Sequence, residues 1–383
     1  MVVKTYNYRL RPNKTQKDLL CKILNQQRFI YNKALEQRIK AYKRRGEYIP
    51  YVQQAALFNK IRKLKCPNVN SSSMQQMLRR LDKAFKAFFR RVKAGDKPGF
   101  PRFKNASRFN SIEFTYNDGC KLLNNKKVRI QHVGEISVKL HRDIPQNSKI
   151  KHVVIKRVND KWYANFSIEI YNTIETVSDK PPVGIDVGIS HLATLSDGTV
   201  YDSPKYLNNS LKELRVIQRS VSRKVKGSNS RKKTVKKLIN FHEHIKNQRK
   251  DFLHKTTREI SNKYGDIFME DMPLDFMLKN KHLAKHVSDV AIGEFRSMLK
   301  YKAEEAGSKV ILVNPKNTSQ ICSKCNNMVK KSLSERTHSC PHCGYTIDRD
   351  VNAAQNILLL GFGTSPGALT PIRGVAPEAV CFS

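Results

Sequence analysis

The chain has 383 residues, room for two or three domains with separate cores, and its 17 Phe and 14 Tyr supply bulk to fill them. Its 72 Lys and Arg against 32 Asp and Glu give a formal charge of +40, which repels itself in the free protein and calls for a polyanionic partner. No apolar run of about 18 residues exists, and Met1 to Leu10 alternates polar and apolar residues, so a membrane span and a signal sequence are disfavoured and a soluble, cytoplasmic protein is expected.

Tyr6, Tyr8 and Leu10 alternate with polar residues and predict a strand ending at Pro12. Apolar stripes at helical spacing then predict helices from Thr15 to about Arg45, from Tyr51 to Leu64 and from Ser72 to Val92. The Gly95–Pro101 segment breaks the last of them. Lys151 to Val158 and Trp162 to Ile170 flank Asn159-Asp160 as a hairpin, with Trp162, Ala164, Phe166 and Ile168 on one face. The first 180 residues thus read as a small β-domain with a helical insert, and Pro181-Pro182 marks its boundary.

Beyond that boundary, Val183 to Asp186 and His191 to Leu195 predict two short strands. A long helical region is expected from about Ser203 to Lys263. Between Lys212 and Arg258 it holds 16 Lys or Arg and three acids, Glu213, Glu243 and Asp251. A solvated basic face is the bland account; in so cationic a chain a phosphate-contacting face is favoured. Asp266 to Glu270 predicts a third strand, Ala284 to Glu305 a helix, Lys309 to Val313 a fourth strand and Val351 to Leu360 a closing helix. Gly361 to Ser383 reads as a loose tail.

Three acids occupy related places. Asp186 ends an apolar strand between Gly184 and Gly188, glycines that would permit a tight turn and close approach of a phosphate backbone. Glu270 ends another apolar strand. Asp350 opens a helix whose small Ala353 and Ala354 would let it pack closely on a sheet. Hard divalent cations need such oxygen ligands, and two of them about 4 Å apart can assist phosphodiester hydrolysis. The paired Cys322-x2-Cys325 and Cys340-x2-Cys343 suit one structural zinc, with His338 or His342 as a competing fourth ligand. Cys21, Cys66, Cys120 and Cys381 are scattered, unlike a disulfide framework. His191 invites a general-base role, but two-metal hydrolysis does not require one.

Together, Gly184-Ile185-Asp186-Val187-Gly188, the Glu270 strand, the four cysteines and Asp348-Arg349-Asp350-Val351-Asn352-Ala353-Ala354 resemble the TnpB family of transposon-encoded, RNA-guided DNA nucleases, related to single-protein type V CRISPR effectors. Leu10-Arg11-Pro12 and Gly99-Phe100-Pro101-Arg102-Phe103-Lys104 fit the same resemblance, which spans about residues 1 to 360. It implies an α+β and α/β multidomain chain. Residues 1–10 and 96–180 would form a wedge β-barrel, with a helical recognition insert at 11–95. A RuvC-like nuclease of RNase H fold would occupy 181–313 and 344–360, with a zinc-binding insert at 314–343 and a flexible tail at 361–383.

The same resemblance implies a catalytic set of Asp186, Glu270 and Asp350 holding two Mg2+, and Cys322, Cys325, Cys340 and Cys343 holding zinc. Asp348 would cap or turn the chain beside Asp350. Tyr51, Gln75, Thr115 and Tyr116 would read the target flank, although Ser71 and Ser72 depart from the Lys and aromatic expected beside them. The implied partners are a guide RNA from the transposon end and double-stranded target DNA, with base pairing supplying most of the specificity. A monomer in the prokaryotic cytoplasm, associated with the nucleoid, is expected. The alternatives are a nuclease-inactive RNA-guided repressor, a non-catalytic DNA-binding accessory of transposition, and a structure-selective resolvase acting without RNA.

Overall fold

Alternation at Tyr6, Tyr8 and Leu10 yields strand β1 (Val2–Arg11), whose inward side chains are buried. Pro12 ends it, and Asn13 starts helix α1 (Lys14–Arg45) through a reciprocal cap with Gln16. Gly46, at φ 63°, closes that helix. The computed structural model describes residues 2–124, 126–171, 179–272, 279–280, 284–314, 316–332 and 335–363. The chain divides into two compact units, Met1–Thr173 and Ile174–Ser383.

In the first unit, helices α2 (Tyr51–Lys65) and α3 (Ser71–Lys93) follow α1 as an insert between β1 and strand β2 (Ser111–Thr115). Four further strands are β3 (Cys120–Leu123), β4 (Lys127–Ile130), β5 (Gly134–Lys139) and β6 (Ser148–Val158), and β7 (Lys161–Ile170) completes the set. They form one antiparallel seven-stranded sheet in the order β2-β6-β7-β1-β5-β4-β3. Its two edge strands, β2 and β3, are consecutive in the chain and meet at a Tyr116–Cys120 bridge, so the sheet is a near-closed barrel. Trp162, Ala164, Phe166 and Ile168 all point inward from β7. Barrel and helices share one continuous apolar core.

The second unit is built on a mixed five-stranded sheet. Its strands are β8 (Val183–Asp186), β9 (His191–Leu195), β10 (Val200–Asp202), β11 (Asp266–Glu270) and β12 (Lys309–Val313), in the order β10-β9-β8-β11-β12. β9 and β10 run antiparallel to their neighbours, whereas β8, β11 and β12 are parallel. The expected single helical stretch from Ser203 to Lys263 is two helices, α4 (Tyr206–Ser222) and α5 (Asn229–Lys263). Gly227, at φ 93°, turns the chain between them, and Ser228 caps α5 through the Arg231 N–H. Lys205 offers α4 no side-chain cap. Asp289 supplies one instead, accepting from the backbone N–H of Leu207 and Asn208 while pairing with Arg249 at 2.9 Å.

The helix expected from Ala284 to Glu305 is also two: α6 (Ala284–Val290) and α7 (Ile292–Glu305), broken where Ala291 adopts φ 58°. A small hairpin, β13 (Thr337–Ser339) with β14 (Thr346–Asp348), precedes the closing helix α8 (Arg349–Gly361). Of the expected tail, Gly361 ends α8 and the following Phe362 caps it; 364–383 lie outside the described residues.

Candidate active site and four-thiol element

Parallel pairing places the C-terminal ends of β8 and β11 at one sheet edge. The register Ile267–Val183, Phe268–Gly184 and Met269–Ile185, extended by one residue, sets Glu270 level with Asp186. Asp350 reaches the same region from the first turn of α8. Burial, with the charges of Glu270 and Asp350 beside it, pushes Asp186 up to about 8, against the opposing influence of Arg349. Burial also raises Glu270, which accepts a hydrogen bond from Thr318 Oγ1 at 2.5 Å.

Asp350 takes contacts from Arg349 at 3.2 Å and from Arg336 at 3.5 Å. Asp348 accepts from the Asp350 and Val351 N–H groups and is the N-cap of α8. The capping alternative for Asp348 is therefore the one observed.

α8 lies directly on β8. A Cβ built on Gly184 would stand 2.0 Å from the Ala354 carbonyl oxygen and 2.7 Å from the Leu358 nitrogen. The far end of the helix makes the same demand, because a Cβ on Gly361 would meet the Phe268 ring at 2.1 Å. Neither Gly184 nor Gly188 has a positive φ. The reading of Gly184 as a turn-former for a phosphate is thus corrected: its missing side chain makes room for the helix that carries Asp350.

The sulfurs of Cys322, Cys325, Cys340 and Cys343 all lie within 4.8 Å of one another. Among the described residues they are the one set of three or more His, Cys, Asp or Glu side chains gathered so tightly, so the three carboxylates are more widely spaced. Two similar turns build the cluster. Asn326 N–H donates to the Cys322 carbonyl at 2.9 Å, and Gly344 N–H to the Cys340 carbonyl at 3.0 Å, both residues having positive φ. The four thiols assemble without a histidine: His342 is exposed, and His338 is fully buried with neither ring nitrogen hydrogen-bonded.

Side chains of α8 fasten this element to the sheet. Asn352 accepts from Ser323 N–H at 3.0 Å and donates to the Ile321 carbonyl at 2.8 Å. Ser323 Oγ donates to Gln355 at 2.7 Å, and Asn356 donates to the carbonyls of Thr318 and Ile321 at 2.7 Å. Thr318 in turn holds Glu270. Ser323, Asn352, Ile321, Asn356, Thr318 and Glu270 therefore form one hydrogen-bonded chain, and Cys322 lies between two of its members. Sequence reasoning passed over the three amides and Thr318. The usable signal was three carboxamides at helical spacing beside Ala353 and Ala354, in a stretch with no charge after Asp350.

In the first unit, the expected flank readers are only partly brought together. Thr115 Oγ1 accepts from Ser72 and Gln76, each at 3.0 Å. Gln76, not Gln75, is therefore the glutamine that holds Thr115; Gln75 is half-buried one residue earlier on α3. Asn70 donates to Asp118 and Gln131, and a Cβ on Gly119 would meet the Asn70 side chain at 2.7 Å. These contacts pin the turn containing Tyr116 to the start of α3. Tyr51 lies instead under the Arg79 guanidinium, 5.5 Å from its ring centre.

Fold and site together define a strongly basic, mixed α/β protein with a near-closed barrel, an acid-bearing sheet edge and a four-thiol ribbon. Residues 293–357 match a family model described as a Cas12f1-like TNB domain, and 165–281 one described as a probable transposase, OrfB_IS605. Residues 1–47 match a helix-turn-helix model, although here they form β1 and one continuous α1.

InsQ of Escherichia coli (strain K12), named as an RNA-guided DNA endonuclease, is 31% identical over 380 residues, covering 94% of this chain and 92% of its own. A Streptomyces pristinaespiralis protein named likewise is 32% identical over 378 residues, covering 95% of this chain and 90% of its own. The chain belongs to the TnpB family. The fold also matches the Cas12f1–sgRNA–target DNA complex, with TM-score 0.59 and 15% identity, covering 90% of this chain and 82% of that one.

Proposed function

We propose that this protein is an RNA-guided, Mg2+-dependent DNA endonuclease encoded with a transposable element. Membership of a family whose relatives are named as RNA-guided DNA endonucleases supports the class of activity. The acid-bearing edge of the second unit supports the chemistry, and we read its mixed sheet as a RuvC-like core. The single observation that carries the reading is Asp186, held high by burial and by two further acids at the same edge. Acids crowded around Asp186 in this way fit a hard cation, which would bring Asp186 back down.

On this reading Asp186, Glu270 and Asp350 would hold Mg2+, which supplies a Lewis acid and an activated nucleophile for phosphodiester hydrolysis. Thr318 orients Glu270, and the α8 N-cap fixes where Asp350 emerges. Arg336 and Arg349 bring positive charge to the place where a phosphate would enter. Tyr51, Gln75, Thr115 and Tyr116 would read the target flank in the other unit. The guide RNA and duplex target neutralise the surplus of 40 positive charges.

The test is to purify the chain, sequence the RNA that accompanies it, and challenge the complex with a matched plasmid carrying a randomised flank. A discrete RNA and guide-matched cutting beside one selected flank are expected. Sequence-tolerant binding without RNA would instead identify a DNA-binding accessory, and matched binding without cutting a repressor.

Four thiolates without a competing histidine fit a structural zinc with no open coordination position. Cys340→Ser is therefore expected to lower the zinc content measured by atomic absorption. It should also lower cleavage by about ten- to a hundred-fold, the scale seen when support around a metal centre is removed. RNA binding should stay within about two-fold of wild type, because Cys340 is buried and the substitution changes no surface charge. Full cleavage by a zinc-free variant would show that the ribbon does not position Asp350.

A further inference from the structure

The five-stranded sheet of the second unit ends at β12, and among the described residues no strand lies beyond it. Lys309 N–H donates to the Gly265 carbonyl, and the Val313 carbonyl accepts from Asp271 N–H, so residues 309, 311 and 313 turn their backbone groups toward β11. The N–H and C=O groups of Val310 and Leu312 therefore point out of the sheet. The side chains are equally unguarded: Ile311 is 37% exposed and Leu312 44%. Free edges are normally blunted by charge, proline or a bulge, and β12 has only Lys309, at its start. Four apolar residues in a row with open donors and acceptors are a template for one more strand.

The segment nearest to hand is the chain's own C-terminal stretch. Phe362 lies against Phe268, with ring centres 5.2 Å apart, and Phe268 is the β11 residue directly opposite Ile311. Residues 364–383 thus leave the fold one strand in from the open edge, a spacing of about 5 Å. Their composition is out of keeping with the rest. Nine of the 20 are apolar and two are charged, Arg373 and Glu378, whereas 27% of the whole chain is charged. A segment built to stay in water is rich in charge and poor in bulky apolar residues. Glu378-Ala379-Val380-Cys381-Phe382 is as long as β12, contains no Gly or Pro, and in an extended chain would set Val380 and Phe382 on one side. The preceding residues 364–377, at about 3.3 Å each when extended, give ample reach.

We infer that residues 378–382 pair with β12 as a sixth strand of this sheet and close its edge. The added strand braces β12, whose Val313 carbonyl holds the residue that follows Glu270.

The test is residue-resolved amide hydrogen exchange on the full chain, compared with the double variant Ala379→Pro, Val380→Pro. Neighbouring N–H groups of a strand point to opposite sides, so the two prolines remove the donor facing β12 in either register. The Val310 and Leu312 amides are expected to exchange about a hundred-fold or more faster in the variant. Unchanged exchange in β8 and β11 serves as the folding control. In parallel, Leu312→Cys in the otherwise wild-type chain is treated with a short bis-maleimide and mapped by mass spectrometry. A link to Cys381 within one chain is expected.

Equal exchange at Val310 and Leu312 in the two proteins overturns the inference, as does the absence of a link to Cys381. A link that joins two chains assigns the edge to a second copy and overturns it equally. None of these readouts involves RNA or cleavage, so each leaves the proposed activity standing.

Discussion

Asp186→Ala is expected to reduce guide-directed cleavage by on the order of 10³-fold or more while leaving RNA and target binding within about two-fold. The reason is positional. Asp186 ends the strand next to the one that ends in Glu270, and the charge of Asp350, in the first turn of α8, also reaches it. Its carboxyl is the one on which the other two charges act. Removing it would take away the ligand proposed to be shared without disturbing the sheet, because Ala fits any extended strand end. Cleavage of a guide-matched plasmid, measured beside filter binding of RNA and target, separates the two effects. Wild-type cutting by this variant would move the reaction elsewhere.

The second large effect is expected at a residue with no side chain, two positions before Asp186. Gly184→Ala would drive a methyl group into the α8 backbone, with the Ala354 oxygen only 2.0 Å from the new atom. The obstacle is main chain, not the end of a flexible side chain, so the helix must lift. Overpacking of this kind typically costs about 1–3 kcal/mol, occasionally more. Lifting α8 would also carry Asp350 away from Asp186 and Glu270. Cleavage should fall by about a hundred-fold or more, since misplacement by about 1 Å can cost that much. The melting temperature should drop, whereas RNA binding should persist. A Gly184→Ala protein that melts and cuts like wild type would show that α8 is not seated as described.

These expectations show where the sequence was legible and where it was not. The alternation in β1 and β7 and the helical stripes of α1 and α3 could be read because each buries one regular face. β3 and β4 carry no readable period: each has four residues, too few for one to repeat, and they gain stability only as part of the closing barrel. The turn at Gly227 leaves no mark in the charge pattern, because basic residues continue on both sides of it.

Asp186, Glu270 and Asp350 were legible because an acid at the end of an apolar strand, or opening a small-residue helix, breaks its local pattern. Asn352, Gln355 and Asn356 were not, because a buried amide and a surface amide look alike until their partners are known. Gly184 carried the opposite lesson. Its importance was visible, but its cause is the close approach of a helix contributed by residues far along the chain.

The hydrogen-bonded route from Ser323, beside Cys322, through Asn352, Ile321, Asn356 and Thr318 to Glu270 gives the ribbon a role in positioning. The helix that bears one acid is held by amides that also grip the segment orienting another. A zinc-bound ribbon on one side of α8 and a glycine-sized gap on the other would fix its height above the sheet.

Anomalous scattering from crystals of the chain grown with Mn2+ tests the shared acid centre most directly. The account predicts metal density bounded by the carboxylates of Asp186, Glu270 and Asp350, and its disappearance in Asp186→Ala crystals. Well-ordered carboxylates with no density among them at saturating Mn2+, or with the ion bound elsewhere, would contradict it.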